Sequence, residues 1–259
     1  MSRPLTLITG ASSGIGKAFA DRFAKEGHDL IIVARRQAEL EAHAEQLQAA
    51  HGGVVHVISM DLARASAADE LFEEVQKRGL AVDNLINNAG VGLHGALEKN
   101  DPQTLERMVT LNVTVLTKLT RLFLPAMLER RSGVVLNVAS TAAFQPMPYF
   151  AAYAATKAYV LSFSEGIAEE VRDRGVKVVA LCPGPTTTEF SESASLKTKA
   201  LNYARWMTAE QVVEEGMQAI RHGEVVRITG AMNALTARGA AFVPRALLNR
   251  ITGALFRPS

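Results

Sequence analysis

Short apolar runs alternate along this chain with longer stretches in which apolar residues recur every three or four positions. Leu5–Thr9 is apolar and β-branched, and Gly10 ends it. Leu30–Val33, Val54–Ile58, Leu85–Ile86, Gly133–Val138, Val176–Leu181 and Val225–Thr229 repeat the form. Runs that are continuous rather than alternating belong to strands buried on both faces, as in a parallel sheet. Helical spacing fills the intervals, over residues 15–27, 37–50, 66–79, 102–130, 152–173 and 209–222. Strand and helix taking turns predict an α/β fold, an open doubly wound parallel sheet flanked by helices. One domain spanning 1–259 accommodates all of it. Pro125 falls inside the fourth helix and is expected to kink it near its end.

Two segments depart from the alternation. Residues 186–208 are rich in Ser and Thr, lack strong periodicity and follow a strand. A loop of that length after a strand's carboxyl end is expected to lie over a ligand crevice as a substrate loop. The second is the carboxyl-terminal extension, 240–259, where Pro244–Phe256 reads as a short amphipathic helix. Val243, Leu247, Leu248, Ile251 and Leu255 share one side, and Arg245 and Arg250 mark another. It could cover a substrate site, form a subunit contact or lie on a membrane surface. The first two readings are preferred, because Gly253 weakens an autonomous membrane helix.

Hydrophobic residues make up 48% of the 259 and charged residues 21%, which excludes a disordered or fibrous chain. With 28 basic and 26 acidic residues the net charge is +2, too balanced to indicate a nucleic-acid partner. The single cysteine, Cys182, excludes an internal disulfide framework and fits a reducing compartment. No apolar run approaches the roughly 18 residues that span a bilayer. The first strand begins at Leu5, which leaves no room for a signal peptide. A cytoplasmic protein is expected, without a metal site.

Between the first strand and the first helix stands Thr9-Gly10-Ala11-Ser12-Ser13-Gly14-Ile15-Gly16. Its glycines are not spaced as G-x-G-x-x-G, but the physical logic holds. Gly10 permits a turn that a Cβ would block, and Gly14 and Gly16 permit close approach of backbone, helix and ligand. The helix start offers unpaired N–H groups to a pyrophosphate, and Ser12 and Ser13 add hydroxyls. The second strand ends in Val33-Ala34-Arg35-Arg36, without the carboxylate that bonds the ribose diol in many NAD-binding folds. Two guanidiniums there indicate the 2′-phosphate of NADP, with Arg35, the first after the strand, as the larger contributor.

Tyr153 and Lys157 are four apart at the start of a helix, which sets them on one face about 6 Å along the axis. An ammonium so placed is expected to lower the phenol's pKa and make it a proton donor or acceptor near neutrality. Ser140 ends the fifth strand, at the carboxyl edge of the sheet where ligands bind.

Taken together, Thr9-Gly10-x-x-x-Gly14-x-Gly16, Asn87-Asn88-Ala89-Gly90, Asn112, Ser140, Tyr153-x-x-x-Lys157 and Pro183-Gly184 resemble the short-chain dehydrogenase/reductase family. The resemblance runs from residue 5 to about 230. It implies a Rossmann-type sheet of about seven strands and catalysis by Asn112, Ser140, Tyr153 and Lys157. Tyr153 would exchange the proton with a carbonyl or alcohol oxygen. Lys157 would tune Tyr153 and hold the nicotinamide ribose. Ser140 would bond the substrate oxygen, and Asn112 would hold a water linking Lys157 to solvent. Ile15 belongs to the turn that holds the pyrophosphate. Asp61 and Leu62 would surround the adenine, and Asn88, Ala89 and Gly90 the adenosine ribose. Pro183, Gly184, Thr186 and Thr188 would bond the carboxamide. Asn87 is read as bracing the central strands, Asp83 as a structural cap and Cys182 as a packing residue.

The expected function is NADP(H)-dependent interconversion of a carbonyl and a secondary alcohol on a mostly apolar small molecule. His94, Phe144, Met147, Tyr149, Phe190 and Trp206 are the candidate pocket wall. The alternative is a non-catalytic dinucleotide-sensing or scaffold protein, which the complete Asn, Ser, Tyr and Lys set argues against. An epimerase or dehydratase of the longer related branch is disfavoured by chain length. Assembly as a homotetramer or homodimer is expected through the long helices, with Leu116, Leu119, Phe123, Val160 and Phe163 shared between subunits.

Overall fold

In the computed structural model, which describes residues 3–190, 194, 198 and 205–258, the seven apolar runs become seven strands of one parallel sheet. They are β1 (Leu5–Thr9), β2 (Asp29–Ala34), β3 (Val55–Ser59), β4 (Asn84–Asn87), β5 (Gly133–Val138), β6 (Val176–Cys182) and, at the edge, β9 (Val226–Ile228). Their order is β3-β2-β1-β4-β5-β6-β9. Strand order reverses beside β1, and a crevice opens there at the carboxyl ends.

Neighbouring residues of each strand enter opposite layers, which is why the runs are continuous. Ile8, Ile32, Ile86, Leu136 and Val179 meet α1 (Gly14–Lys25), α2 (Gln37–His51) and α7 (Ala209–His222). Leu7, Ile31, Leu85, Val135 and Val178 meet α3 (Ala67–Lys77), α5 (Leu116–Glu129) and α6 (Ala151–Glu170). Helix α7 matches its expected bounds because both ends carry strong signals: a Thr208–Gln211 capping box and Gly223 at φ +69°.

The stretch expected as one helix over 102–130 is three pieces. After α4 (Pro102–Val109) come the wider π turns of Thr110–Val115 and then α5. The chain stays helical through Pro125, and the departure from α geometry lies at 110–115, around the buried Asn112. An 18-residue stretch within Pro102–Glu129 is apolar enough, and the segment long enough, to cross a bilayer by composition alone. Here it serves the core: Leu119, Phe123 and Met127 pack against the sheet.

Thr186–Thr187 and Met207–Thr208 pair in parallel as β7 and β8, tying together the two ends of the expected substrate loop. Residues 191–193, 195–197 and 199–204 of that loop lie outside the described residues. Beyond β9 the chain forms α8 (Ala231–Gly239), which the sequence pattern had not indicated, and α9 (Arg245–Phe256), which it had. The apolar side expected for α9 is split: Leu248 and Leu255 are half-buried, but Leu247 and Ile251 are 51% and 46% exposed. The expected subunit face also needs correction. Leu116, Leu119, Phe123 and Val160 are at most 4% exposed within one protomer, so their surface is already spent. Only Phe163 remains half-exposed, stacked on Tyr159.

Candidate active site

The turn after β1 is built by close packing. Gly10 and Gly14 adopt φ +67° and +54°, where a side chain is strained. A Cβ on Gly10 would lie 2.8 Å from Asn88 Nδ2, and one on Gly14 3.0 Å from the Thr188 side chain. Asn88 Nδ2 donates to the Thr9 and Gly10 carbonyls at 2.9 and 3.2 Å. The Asn88 and Ala89 N–H groups both donate to Thr9 Oγ1 at 3.0 Å. Ser13 sits at the N-cap of α1 without bonding it, so first-turn N–H groups stay open beside a cleft lined by Gly10, Ser12, Ser13, Gly14 and Ile15. This cradle fits a dinucleotide pyrophosphate. Gly16 does not line the cleft; a Cβ there would meet the Gly10 carbonyl at 2.2 Å, so it serves helix packing instead. Asn88's amide is likewise committed to the turn, leaving its backbone with Ala89 and Gly90 on the cleft wall.

At one end of the cleft stand Arg35, Arg36, Asp61 and Leu62. Arg36 donates to Ser12 Oγ at 3.2 Å and to Glu189 Oε2 at 3.0 Å. The exposed Arg35 guanidinium has no hydrogen-bond or ion-pair partner among the described residues. Asp61 is held by Arg107 at 2.6 Å. Burial pushes its carboxyl up, but bonds from Arg107 and the Ala63 N–H, with the charges of Arg107 and Arg35, hold it below the usual carboxylate value. Arg107 was not anticipated; an exposed arginine on a helix gives no sequence signal.

The other end is deeper. β5 delivers Ser140, and α6 delivers Tyr153 and Lys157 from one face, 6% and 4% exposed. Ser140 Oγ accepts from the Ala142 N–H at 3.1 Å, donates to the Pro183 carbonyl at 3.5 Å, and stands near enough to the Tyr153 phenol to favour its charged form. Lys157 Nζ donates to the Val138 carbonyl at 2.8 Å and lies 5.7 Å from the centre of the Tyr153 ring. The expected lowering of the phenol's pKa by Lys157 is not found. Burial pushes Tyr153 up to about 12, opposed by Ser140 alone, and pushes Lys157 down to about 8. Desolvation disfavours both charged forms and is the largest influence on each. Asn112 does not line the cleft: Nδ2 donates to the Val91 carbonyl (2.9 Å) and Thr156 Oγ1 (3.1 Å), while Oδ1 accepts from the Val91 N–H (3.0 Å).

Pro183, Gly184, Thr186 and Thr188 follow β6 along the cleft. A Cβ on Gly184 would strike Asn233 of α8 at 2.3 Å, so α8 backs this segment. Thr186 Oγ1 donates to the Gly184 carbonyl at 2.9 Å. Cys182 is fully buried, and burial pushes its thiol up to about 12. Asn87 Nδ2 donates to Asn137 Oδ1 at 2.9 Å across β4 and β5, and Asp83 accepts from the Leu5 N–H at 2.8 Å.

The cleft has a volume of about 750 Å³. Met147, Phe190 and Trp206 of the expected wall line it; His94, Phe144 and Tyr149 do not. His94 instead bonds the Phe256 carbonyl at 2.8 Å, Phe144 packs behind α6, and Tyr149 holds φ +64° in the turn before α6. Met108, Phe150 and Phe256 complete the apolar wall, brought there by tertiary packing that no local pattern announces.

Residues 4–199 match the short chain dehydrogenase family. The chain is 32% identical over 222 residues to 17-beta-hydroxysteroid dehydrogenase type 3 of Mus musculus, covering 84% of this chain and 69% of the relative. A short-chain dehydrogenase from Sphingobium yanoikuyae in complex with NADPH superposes with a TM-score of 0.84 at 32% identity, covering 94% of each chain. A bulky-bulky ketone specific alcohol dehydrogenase from Comamonas testosteroni gives 0.79 at 30% identity, with 93% of each chain covered. The family match takes in more than half of the 259 residues, and the chain therefore belongs to the short-chain dehydrogenases, oxidoreductases of alcohols and carbonyl compounds.

Proposed function

We propose that this oxidoreductase prefers NADP(H) over NAD(H) and interconverts a ketone and a secondary alcohol on a bulky, apolar substrate of steroid-like size. The Ser140–Tyr153 hydroxyl pair, facing an apolar cleft with an unpaired Arg35 at its other end, carries the reading. A nicotinamide dinucleotide, when bound, supplies or accepts the hydride. The chain's own groups handle the proton. The phenol of Tyr153 is neutral at physiological pH and gives its proton to the carbonyl oxygen. Ser140, oriented by the Ala142 N–H, donates to the same oxygen and stabilises the developing charge. Lys157, its proton affinity lowered by burial, is anchored on the Val138 carbonyl and holds its amine 5.7 Å from the centre of the Tyr153 ring. Met108, Met147, Phe150 and Phe256 exclude water and offer an apolar wall. The names of the steroid- and bulky-ketone-specific relatives support the substrate class, and NADPH in the Sphingobium yanoikuyae chain supports the cofactor.

The test is reduction of bulky ketones, a steroid among them, with NADPH or NADH, by the unchanged chain and by Arg35→Ala. A charge-assisted contact contributes about 1.5–3 kcal/mol, so losing it should weaken NADP binding about ten- to a hundredfold while NAD binding stays within about twofold. Equal affinity of the unchanged chain for the two dinucleotides would contradict the cofactor assignment.

A further inference from the structure

From residue 231 onward the chain carries Arg238, Arg245, Arg250 and Arg257, four of its 28 basic residues, and none of its 26 acidic ones. The rest of the chain thus has two more acids than bases, and this segment is a cationic block. All four arginines are exposed. Between them stand exposed apolar side chains: Met232 (47%) and Leu235 (66%) on α8, Phe242 (89%) at the turn, and Leu247 (51%) and Ile251 (46%) on α9. Five of the eleven large apolar residues exposed among the described residues fall here, a concentration rather than scatter.

The spacing puts these groups on outward faces. Leu247, Ile251 and Ala254 follow one another at four and three residues, with Arg250 beside them; Met232 and Leu235 are three apart, with Arg238 three further on. The inward side of α9 is fastened. Thr252 is buried, Gly253 rests against Pro148, His94 bonds the Phe256 carbonyl, and Thr198 Oγ1 donates to the Leu255 carbonyl at 2.5 Å. The protein body supports this helix, so Gly253 no longer counts against a surface role.

We infer that the outward faces of α8 and α9, with Phe242 between them, dock on an anionic lipid bilayer. Apolar side chains enter the headgroup boundary and the arginines meet lipid phosphates. A second copy is a poorer occupant. A two-fold contact sets a patch against itself, and this one would bring arginine against arginine with no acid in the segment to pair with them. Phe256 of the same helix lines the cleft, so docking would place the site beside lipid, where apolar molecules collect.

The experiment is co-sedimentation of the full chain with vesicles of phosphatidylcholine, with and without phosphatidylglycerol, at low and high salt. The read-out is independent of catalysis. Binding should need phosphatidylglycerol and fade at high salt. Joint Arg238→Gln and Arg250→Gln should weaken it about 25-fold, from about fivefold for each arginine near the surface. Phe242→Ser with Leu247→Ser should abolish it, with thermal unfolding and light scattering unchanged. The inference is overturned by absence of the unchanged chain from phosphatidylglycerol vesicles, or by undiminished binding of the serine variant. It is equally overturned if that variant has fewer subunits, which would assign the face to a second copy.

Discussion

Tyr153 and Lys157 share one buried pocket, and burial moves their proton affinities in opposite directions. For Lys157 the pKa is 10.5 as the ordinary value and about 8 in the fold. Below pH 8 both folded and unfolded chains hold the proton, and the cost of the buried ammonium is constant. Between about 8 and 10.5 the unfolded chain holds more protons, so stability rises with pH. Urea denaturation from pH 7 to 10 should show this climb, approaching about 3 kcal/mol in the limit. Lys157→Met should flatten it, and a climb that persists in Lys157→Met would assign it to another group. Above pH 10 the raised phenol pKa acts the other way, because the unfolded tyrosine ionises first. The residues of this pair were legible not from their spacing of four alone, which is common by chance, but from that spacing together with Ser140 at the sheet edge and the other family motifs. The direction of the Tyr153 shift was not, since it depends on how completely Phe150, Phe190 and Ser140 enclose the ring.

At the scale of elements, the strands were readable because burial on both faces leaves an uninterrupted apolar run, as in Leu30–Val33. Helices with strong end signals, such as α7, were readable to the residue. Helix α8 was hidden because Met232 and Leu235 point outward, so its apolar spacing marks no core face. The π turns at Thr110–Val115 were announced only by Asn112 standing in an apolar register. That residue closes both the N–H and the C=O of Val91 and reaches Thr156 on α6, joining three parts of the chain. Asn112→Ala should therefore leave both Val91 groups unmatched and cost about 2–6 kcal/mol, from about 1–3 kcal/mol for each. Denaturant midpoints measure this, and a loss under about 0.5 kcal/mol would show that the Val91 groups find other partners.

Across the whole molecule, the carboxyl ends of β1, β2, β4, β5 and β6 supply one continuous cleft. Arg35 and Arg36 stand at its polar end, Ser140, Tyr153 and Lys157 at its buried end, and Phe256 comes from the carboxyl terminus. Motifs far apart in sequence could be listed from the chain, but their arrangement along one cleft required the fold. Arg107 and Phe150 reach it with no motif at all. The central claim is that Tyr153 gives the proton in carbonyl reduction. Tyr153→Phe removes one hydroxyl, keeps the ring against Phe150 and leaves the glycine turn and Arg35 untouched. The decisive measurement is single-turnover reduction of a bulky ketone by the NADPH-loaded chain, with NADPH affinity determined alongside. A fall of about 10²–10⁴-fold in Tyr153→Phe, at unchanged NADPH affinity, is the expected result. Turnover close to that of the unchanged chain would mean that the proton comes from another group and would contradict the assignment.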